Sequence, residues 1–302
     1  MKKASVVYKV NSHIHTPYSF SAFNRIEEAF EKACEEDVKI LGINDFYTTE
    51  GYAEFYGLAL EYNIFPLFNV EFIGLSIEHQ QKKIRINDPS NPGRIYFCGK
   101  GLDYPLTINE DHRKLIEGVV EQNHLHISAM IKKTNQLLEK VQARFRISRD
   151  EIFGYTRSLV RERHIAKTIR IKVNECYPLS DDRKKFLEKL YGSKISVAGT
   201  GNDAAVENEI RENLLKKGGF AYIEEDAKAF LSVDDIKNLI LHAGGIPCYP
   251  VLLDNEQGEF TEFENNWEKL RQNLDDWNVE SIELIPGRND FNILKRFIEY
   301  FY

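Results

Sequence analysis

The sequence predicts an α/β fold interrupted by a helical block, and three observations predict it. Apolar runs alternate with amphipathic helical stretches up to about Ser76. The pattern then turns almost wholly helical from about Asn109 to about Leu190, and the alternation returns near the end of the chain. Strand, helix, strand, helix, strand with short connections marks a parallel sheet with crossover helices. The expected organisation is 1–105 as the first part of the α/β domain, 106–225 as a mainly helical insertion and 226–302 as its second part.

Each element has its own signal. Val6, Val7, Tyr8 and Val10 are β-branched or aromatic and form a first strand that ends at Asn11. Asn24 reads as a helix cap with Glu27 in the capping-box position. Ile26, Ala29, Phe30 and Ala33 give the following helix one apolar face. VKILGI (Val38 to Ile43) is a short apolar strand, about Glu50 to Tyr62 a second helix, and Ile64 to Ser76 a third strand. Residues 80–105, rich in Asn, Pro, Gly and Lys, read as a long functional loop or insertion. In the helical block Ile127, Met130, Ile131, Leu137, Leu138 and Val141 recur near helical spacing. RERHIAKTIRIKV and DDRKKFLEKLYG add further helices. Ser232 caps a helix with Asp235 three residues on, and Gly244 and Gly245 close it. A strand IPCYPVLL, a helix near Trp267 to Trp277, a strand SIELIP and a helix FNILKRFIEYFY follow. In a β/α barrel that last helix leads back to one more strand.

Composition narrows the function classes. Among 302 residues, 42% are apolar and 29% charged, the balance of a globular domain. No apolar run reaches the roughly 20 residues of a membrane span, and no secretory leader is recognised. The four cysteines are far apart and form no Cys-x-x-Cys, which fits reduced thiols in a cytoplasmic protein. The net charge of -7 argues against long duplex nucleic acid as a partner. It leaves room for a small phosphorylated ligand in a local basic pocket.

The chemistry-bearing residues sit on the predicted strands. In NSHIHTP, His13 and His15 are two apart, so an extended chain points both to one face at the end of the first strand. In a β/α barrel that is the end where active sites form. Asp45 follows the second apolar run in GINDFY. Glu71 lies inside the third, in FNVEF, where a carboxylate is costly to bury unless paired or bound to a metal. These four residues are the expected metal ligands, and imidazoles suit zinc, iron, copper, nickel and, less strongly, manganese, of which zinc, manganese and iron are the expected ions. In GRIYFCGKG, Arg94 and Lys100 form either a phosphate-binding loop or a solvated one.

NSHIHTPYSF, then GINDF, then NVEF resemble the PHP family, the polymerase and histidinol phosphatase superfamily. RERHIAKTI resembles an Arg-Pro-His-Ile-Ala motif of its small phosphoesterases with a helical insertion. FAYIEEDAKAFLSVDDIKNLILHAGGIPCYP resembles their segment running into Gly-Gly-x-Pro-x-x-x-His-Pro. The resemblance implies a distorted seven-stranded (β/α)7 TIM-like barrel with a cluster of divalent metal ions of undetermined number. It implies hydrolysis of phosphoric esters of a small molecule, with a nucleotide as one candidate substrate class. It also implies that Arg163 and His164 hold the substrate phosphate, against a bland reading as a helix-capping cluster. Tyr249 stands where the family has the His before Pro250, and is expected to line the pocket with its hydroxyl. Phe46 stands where the family has the His of Thr-Asp-His, and the family's final Asp-x-His strand would lie beyond Tyr302, so either the chain is cut short or the protein lacks that ligand pair. These departures support an alternative: a catalytically impaired barrel that binds a metal or ligand in a regulatory role. No catalytic acid or base is assigned.

Overall fold

The computed structural model describes residues 8–19, 21–155, 159–198, 202–254 and 258–302; Val6 and Val7 of the expected first strand lie outside them. The chain divides into two compact units, Met1–Glu117 with Phe230–Tyr302, and Gly118–Ala229. No helix among the described residues is long and apolar enough to cross a membrane.

The first unit opens with β1 (Lys9–Ile14), α1 (Ile26–Glu35), β2 (Val38–Phe46), α2 (Tyr52–Glu61) and β3 (Phe65–Leu75). The three strands are parallel neighbours, as the alternation predicts. Ile26, Ala29, Phe30 and Ala33 are the buried face of α1. Its cap differs from expectation by one residue: Arg25 is the N-cap, and Glu28 accepts from the Asn24 backbone N–H at 2.9 Å. Gly42 is required where β2 passes β1. A Cβ there would lie 2.6 Å from the Ser12 carbonyl oxygen and 2.6 Å from Asn69 Nδ2. Without it, Asn69 Nδ2 donates to the Ser12 carbonyl at 2.8 Å and ties β3 to β1.

The stretch read as a loop contains a strand. After the short α3 (Ile77–Gln81), β4 (Arg94–Lys100) runs antiparallel to β3. Its flanks carry the Asn, Pro and Gly that suggested a loop, while Ile95, Phe97 and Cys98 are fully buried. The pairing, with Glu71 opposite Cys98, overrides the flanking composition.

The helix α9 (Val233–His242) has Ser232 accepting from the Asp235 backbone N–H at 3.1 Å, and Gly244 follows it at φ +75°. Next come β5 (Ile246–Pro250), α10 (Trp267–Asp276), β6 (Ser281–Glu283) and α11 (Phe291–Phe301). β5 pairs antiparallel with β4 and parallel with β6. The six described strands form one sheet in sequence order, five in one direction and β4 reversed. Where the resemblance implies seven strands, six are described.

The second unit carries the rest of α4 (Glu110–Lys140), α5 (Arg149–Phe153), α6 (Glu162–Cys176), α7 (Ser180–Leu190) and α8 (Asp203–Ile210), which continues into a π turn (Arg211–Leu215). Ile127, Met130, Ile131, Leu137, Leu138 and Val141, the residues at helical spacing, are buried in one core with Ile165, Ile169 and Leu187.

Candidate metal centre

Strand register builds a polar face on the sheet. Phe46 pairs with Glu71, Glu71 with Cys98, Cys98 with Cys248, and Cys248 with Ser281. Paired residues share a face, and so do residues two apart on a strand. Asn44, Lys100 and Glu283 therefore join that row.

Three ligand atoms meet above it. His13 Nε2 lies 3.2 Å from Glu71 Oε2, His15 Nε2 lies 3.3 Å from the same oxygen, and the two Nε2 atoms are 3.4 Å apart. Zinc–nitrogen and zinc–oxygen bonds are about 2.0–2.2 Å, so ligand atoms around a tetrahedral ion stand roughly 3.3–3.5 Å apart. The three atoms form a nearly equilateral triangle of that edge. Glu71 is buried, whereas His13 and His15 are half-buried. The Phe46 ring stacks on the His15 ring with centroids 4.9 Å apart and planes 10° from parallel.

The other nitrogen of His13 faces a second acidic group. His13 Nδ1 is 3.1 Å from Glu283 Oε2, and the Cys98 thiol donates to that oxygen at 3.4 Å. The Lys100 ammonium donates to Glu283 Oε1 at 2.6 Å. His13, Cys98 and Glu283 form a second set of atoms close enough to share an ion. The Asn44 amide nitrogen lies 3.0 Å from His13 Nε2 and 3.4 Å from Glu71 Oε2. Burial disfavours the charged form of His13, but hydrogen bonds from its ring to Glu283 and Glu71 outweigh it and raise its pKa to about 9. Burial pushes Glu283 upward, yet His13 and Lys100 beside it hold it down at about 2. Burial drives the Cys98 thiol well above its ordinary value.

A family model of the PHP domain matches residues 11–159, a span that includes His13, His15, Glu71 and Cys98. The match to the PHP domain spans just under half of the chain. Two solved structures share the fold. One is a protein from Bifidobacterium adolescentis to which metal-dependent phosphoesterase activity is ascribed, 14% identical, covering 97% of this chain and 83% of its own, with a TM-score of 0.57. The other is an amidohydrolase from Chromobacterium violaceum with bound sulfate and no metal, 16% identical, covering 97% and 82%, with a TM-score of 0.59. A search of the curated proteins finds no match.

The remaining predicted site residues have surroundings of their own. Asp45 alternates to the opposite face from Asn44 and Phe46. Its carboxylate accepts from the Thr16 backbone N–H at 2.7 Å, the Thr16 hydroxyl at 2.5 Å and the Ser19 hydroxyl at 2.6 Å. Burial lifts its pKa to about 6 against those bonds. It ties down the turn that follows His15 and does not point at the triangle. Tyr249 neighbours Cys248 and so faces away from the polar row. It is fully buried, and its hydroxyl donates to Glu264 Oε1 at 2.5 Å, so it does not line an open pocket. Arg94 begins β4 and Lys100 ends it, so about 20 Å of strand separates them. The Arg94 guanidinium stacks 4.7 Å from the Phe230 ring centre and lies 3.9 Å from Asp88. Arg163 and His164 begin α6 in the other unit, where His164 Nδ1 accepts from the Arg161 backbone N–H at 3.0 Å. Burial and the neighbouring Arg163 lower the His164 pKa to about 4.

Glu283, Cys98 and Asn44 join the site without having been singled out by sequence. Glu283 carried the signal that marked Glu71, a carboxylate within an apolar strand, in SIELIP.

Proposed function

We propose that this PHP domain is a metal-dependent hydrolase of phosphoric esters that acts on a small phosphorylated molecule. The observation that carries the reading is the triangle of His13 Nε2, His15 Nε2 and Glu71 Oε2, whose edges of 3.2, 3.3 and 3.4 Å match a tetrahedral ion with an open fourth position. The donor set suits zinc, iron or manganese.

The residues divide the work. His13, His15 and Glu71 would hold a divalent ion, which would supply Lewis-acid polarisation of a phosphoryl oxygen. Glu283 accepts the Nδ1–H of His13, which fixes the tautomer and turns the Nε2 lone pair toward the other two donors. Phe46 fixes the plane of His15 by stacking. Asp45 acts one step further back by holding the Thr16–Ser19 turn. The phosphate-shaped anion in the Chromobacterium violaceum neighbour, a sulfate, is in keeping with an oxyanion substrate. The acidic balance of the chain disfavours long duplex nucleic acid.

The test is elemental analysis of purified protein, followed by turnover of a phosphoester panel with added zinc, manganese or iron. One equivalent of metal, and turnover lost in the His13→Ala/His15→Ala double variant and in Glu71→Gln, are expected. Protein that takes up no metal at micromolar concentrations would overturn the reading. A second reading, a metal-binding domain without turnover, is favoured by Phe46 and Tyr249 standing where the resemblance puts histidines. Glu71-dependent turnover would exclude it.

A further inference from the structure

Lys100 occupies the second half of the site in a way that resembles a bound cation. Its ammonium lies 2.6 Å from Glu283 Oε1, 3.5 Å from the Asn44 side-chain oxygen and 3.5 Å from the Ser12 carbonyl oxygen. An ammonium has three N–H donors, and three oxygen acceptors face this one. The side chain is only 16% exposed. Between the phosphate-binding and the solvated loop that the sequence leaves open, the Lys100 donors face the protein's own oxygens.

The same carboxylate carries a second ligand set. Glu283 Oε2 is 3.1 Å from His13 Nδ1 and 3.4 Å from Cys98 Sγ. Those edges again suit a tetrahedral ion, with the longer zinc–sulfur bond of about 2.3 Å allowing the longer edge. Distance therefore admits a second ion at His13, Cys98 and Glu283 once Cys98 gives up its thiol proton and His13 gives up its Nδ1 proton to bridge both ions as an imidazolate. Charge opposes it. An ion bonded to Oε2 would stand within about 5 Å of the ammonium on Oε1, in a partly buried place where like charges are weakly screened.

We propose that Lys100 is the resident cation of the Glu283 half of the site and closes it to metal, so that the domain takes one divalent ion, at His13, His15 and Glu71. The inference rests on the metal reading given above. Lys100 is a positioning residue: it holds Glu283, which holds His13. The fixed ammonium and one ion together leave a net positive charge against the two carboxylates, which suits an anionic substrate.

The experiment is reconstitution of the metal-free full chain with excess zinc or cobalt, then removal of unbound metal and elemental analysis. Cobalt adds a second readout, because a thiolate ligand gives a charge-transfer band in the near ultraviolet. Wild type is expected to hold one equivalent with no thiolate band. Lys100→Met is expected to hold two equivalents and to gain the band, and Lys100→Met/Cys98→Ser to lose the band again. Lys100→Arg is expected to stay at one. Wild type with two equivalents and a thiolate band overturns the proposal while leaving the metal centre standing. Lys100→Met that folds by circular dichroism and stays at one equivalent also overturns it; Lys100→Gln is the second variant, judged by the same count. Wild type that takes up no metal overturns the metal reading itself and this inference with it.

Discussion

His13 Nδ1 and Glu283 Oε2 lie 3.1 Å apart although β1 and β6 are the opposite edges of the sheet. Five strand spacings of about 4.8 Å would separate those edges by about 24 Å in a flat sheet. The sheet is therefore curled enough for its two edge strands to face each other across the polar row. The contact makes Glu283 the residue that orients His13. Partners of metal-bound histidines typically contribute about 10–100-fold in metal affinity. Glu283→Gln is expected to weaken zinc binding by that factor in calorimetric titration, with an unchanged far-ultraviolet spectrum. Unaltered affinity would mean that the ring is held by something else.

Metal binding should depend on pH through His13. Its pKa stands at about 9 because Glu283 and Glu71 overcome burial, so an ion has to displace a proton from this ring at neutral pH. Apparent affinity is expected to rise with pH up to about 9 and then level off. Titrations in two buffers of different ionisation enthalpy should show about one proton released per ion at pH 7. A pH-independent affinity between 6 and 9 would contradict it.

The metal-free protein should show the reverse trend in stability. A histidine raised above its ordinary value of 6.5 contributes stability that is complete below 6.5 and is lost as pH climbs through about 9. Glu283, held down at about 2, contributes stability that is complete above the ordinary carboxylate range and lost as pH falls toward 2. The two shifts describe one contact and are not added. Its upper bound is about 3 kcal/mol. Denaturant midpoints of the metal-free form should peak between about pH 5 and 6.5 and fall by pH 9.5, and His13→Gln should flatten the alkaline limb.

Much of this was legible in the sequence, and the gaps have physical causes. β2 and β3 are legible as apolar runs, and Glu71 as a carboxylate inside one; His13 and His15 are legible from their spacing past the expected strand end at Asn11, which β1 overruns to Ile14. The period-two alternation decided what charge alone could not. Asp45 drew notice for its carboxylate, but Asn44 and Phe46 own the face that Glu71 shares. Tyr249 sits beside Cys248 and inherits the buried side in the same way. Glu283 needs long-range information, because only the curl of the sheet brings a three-residue strand near the chain end to the first. β4 was hidden by the turn-forming residues around it.

Asp45 offers a test of positioning at a distance. It accepts three hydrogen bonds that close the Thr16–Ser19 turn directly after His15. Asp45→Ala leaves those donors without their acceptor in a buried place and is expected to cost about 2–3 kcal/mol in denaturant unfolding. Displacement of His15 should weaken zinc binding as well. Asp45→Asn keeps an acceptor oxygen and should recover part of both losses. If Asp45→Ala lost metal affinity with no loss of stability, Asp45 would have to reach the ion directly.

Tyr249 separates a latch from a pocket wall. Glu264 is fully buried and accepts from the Tyr249 hydroxyl at 2.5 Å, the Leu252 backbone N–H at 3.0 Å and the Leu253 backbone N–H at 2.6 Å. Those bonds hold the chain where it leaves β5, with Leu253 in the left-handed region at φ +52°. Burial raises the Glu264 pKa to about 7 in spite of them, so each remaining donor matters. Tyr249→Phe removes one and should lower stability by about 1–3 kcal/mol, while zinc affinity stays within twofold of wild type. A residue that lined the substrate pocket would behave the other way, with KM altered and the unfolding midpoint unmoved.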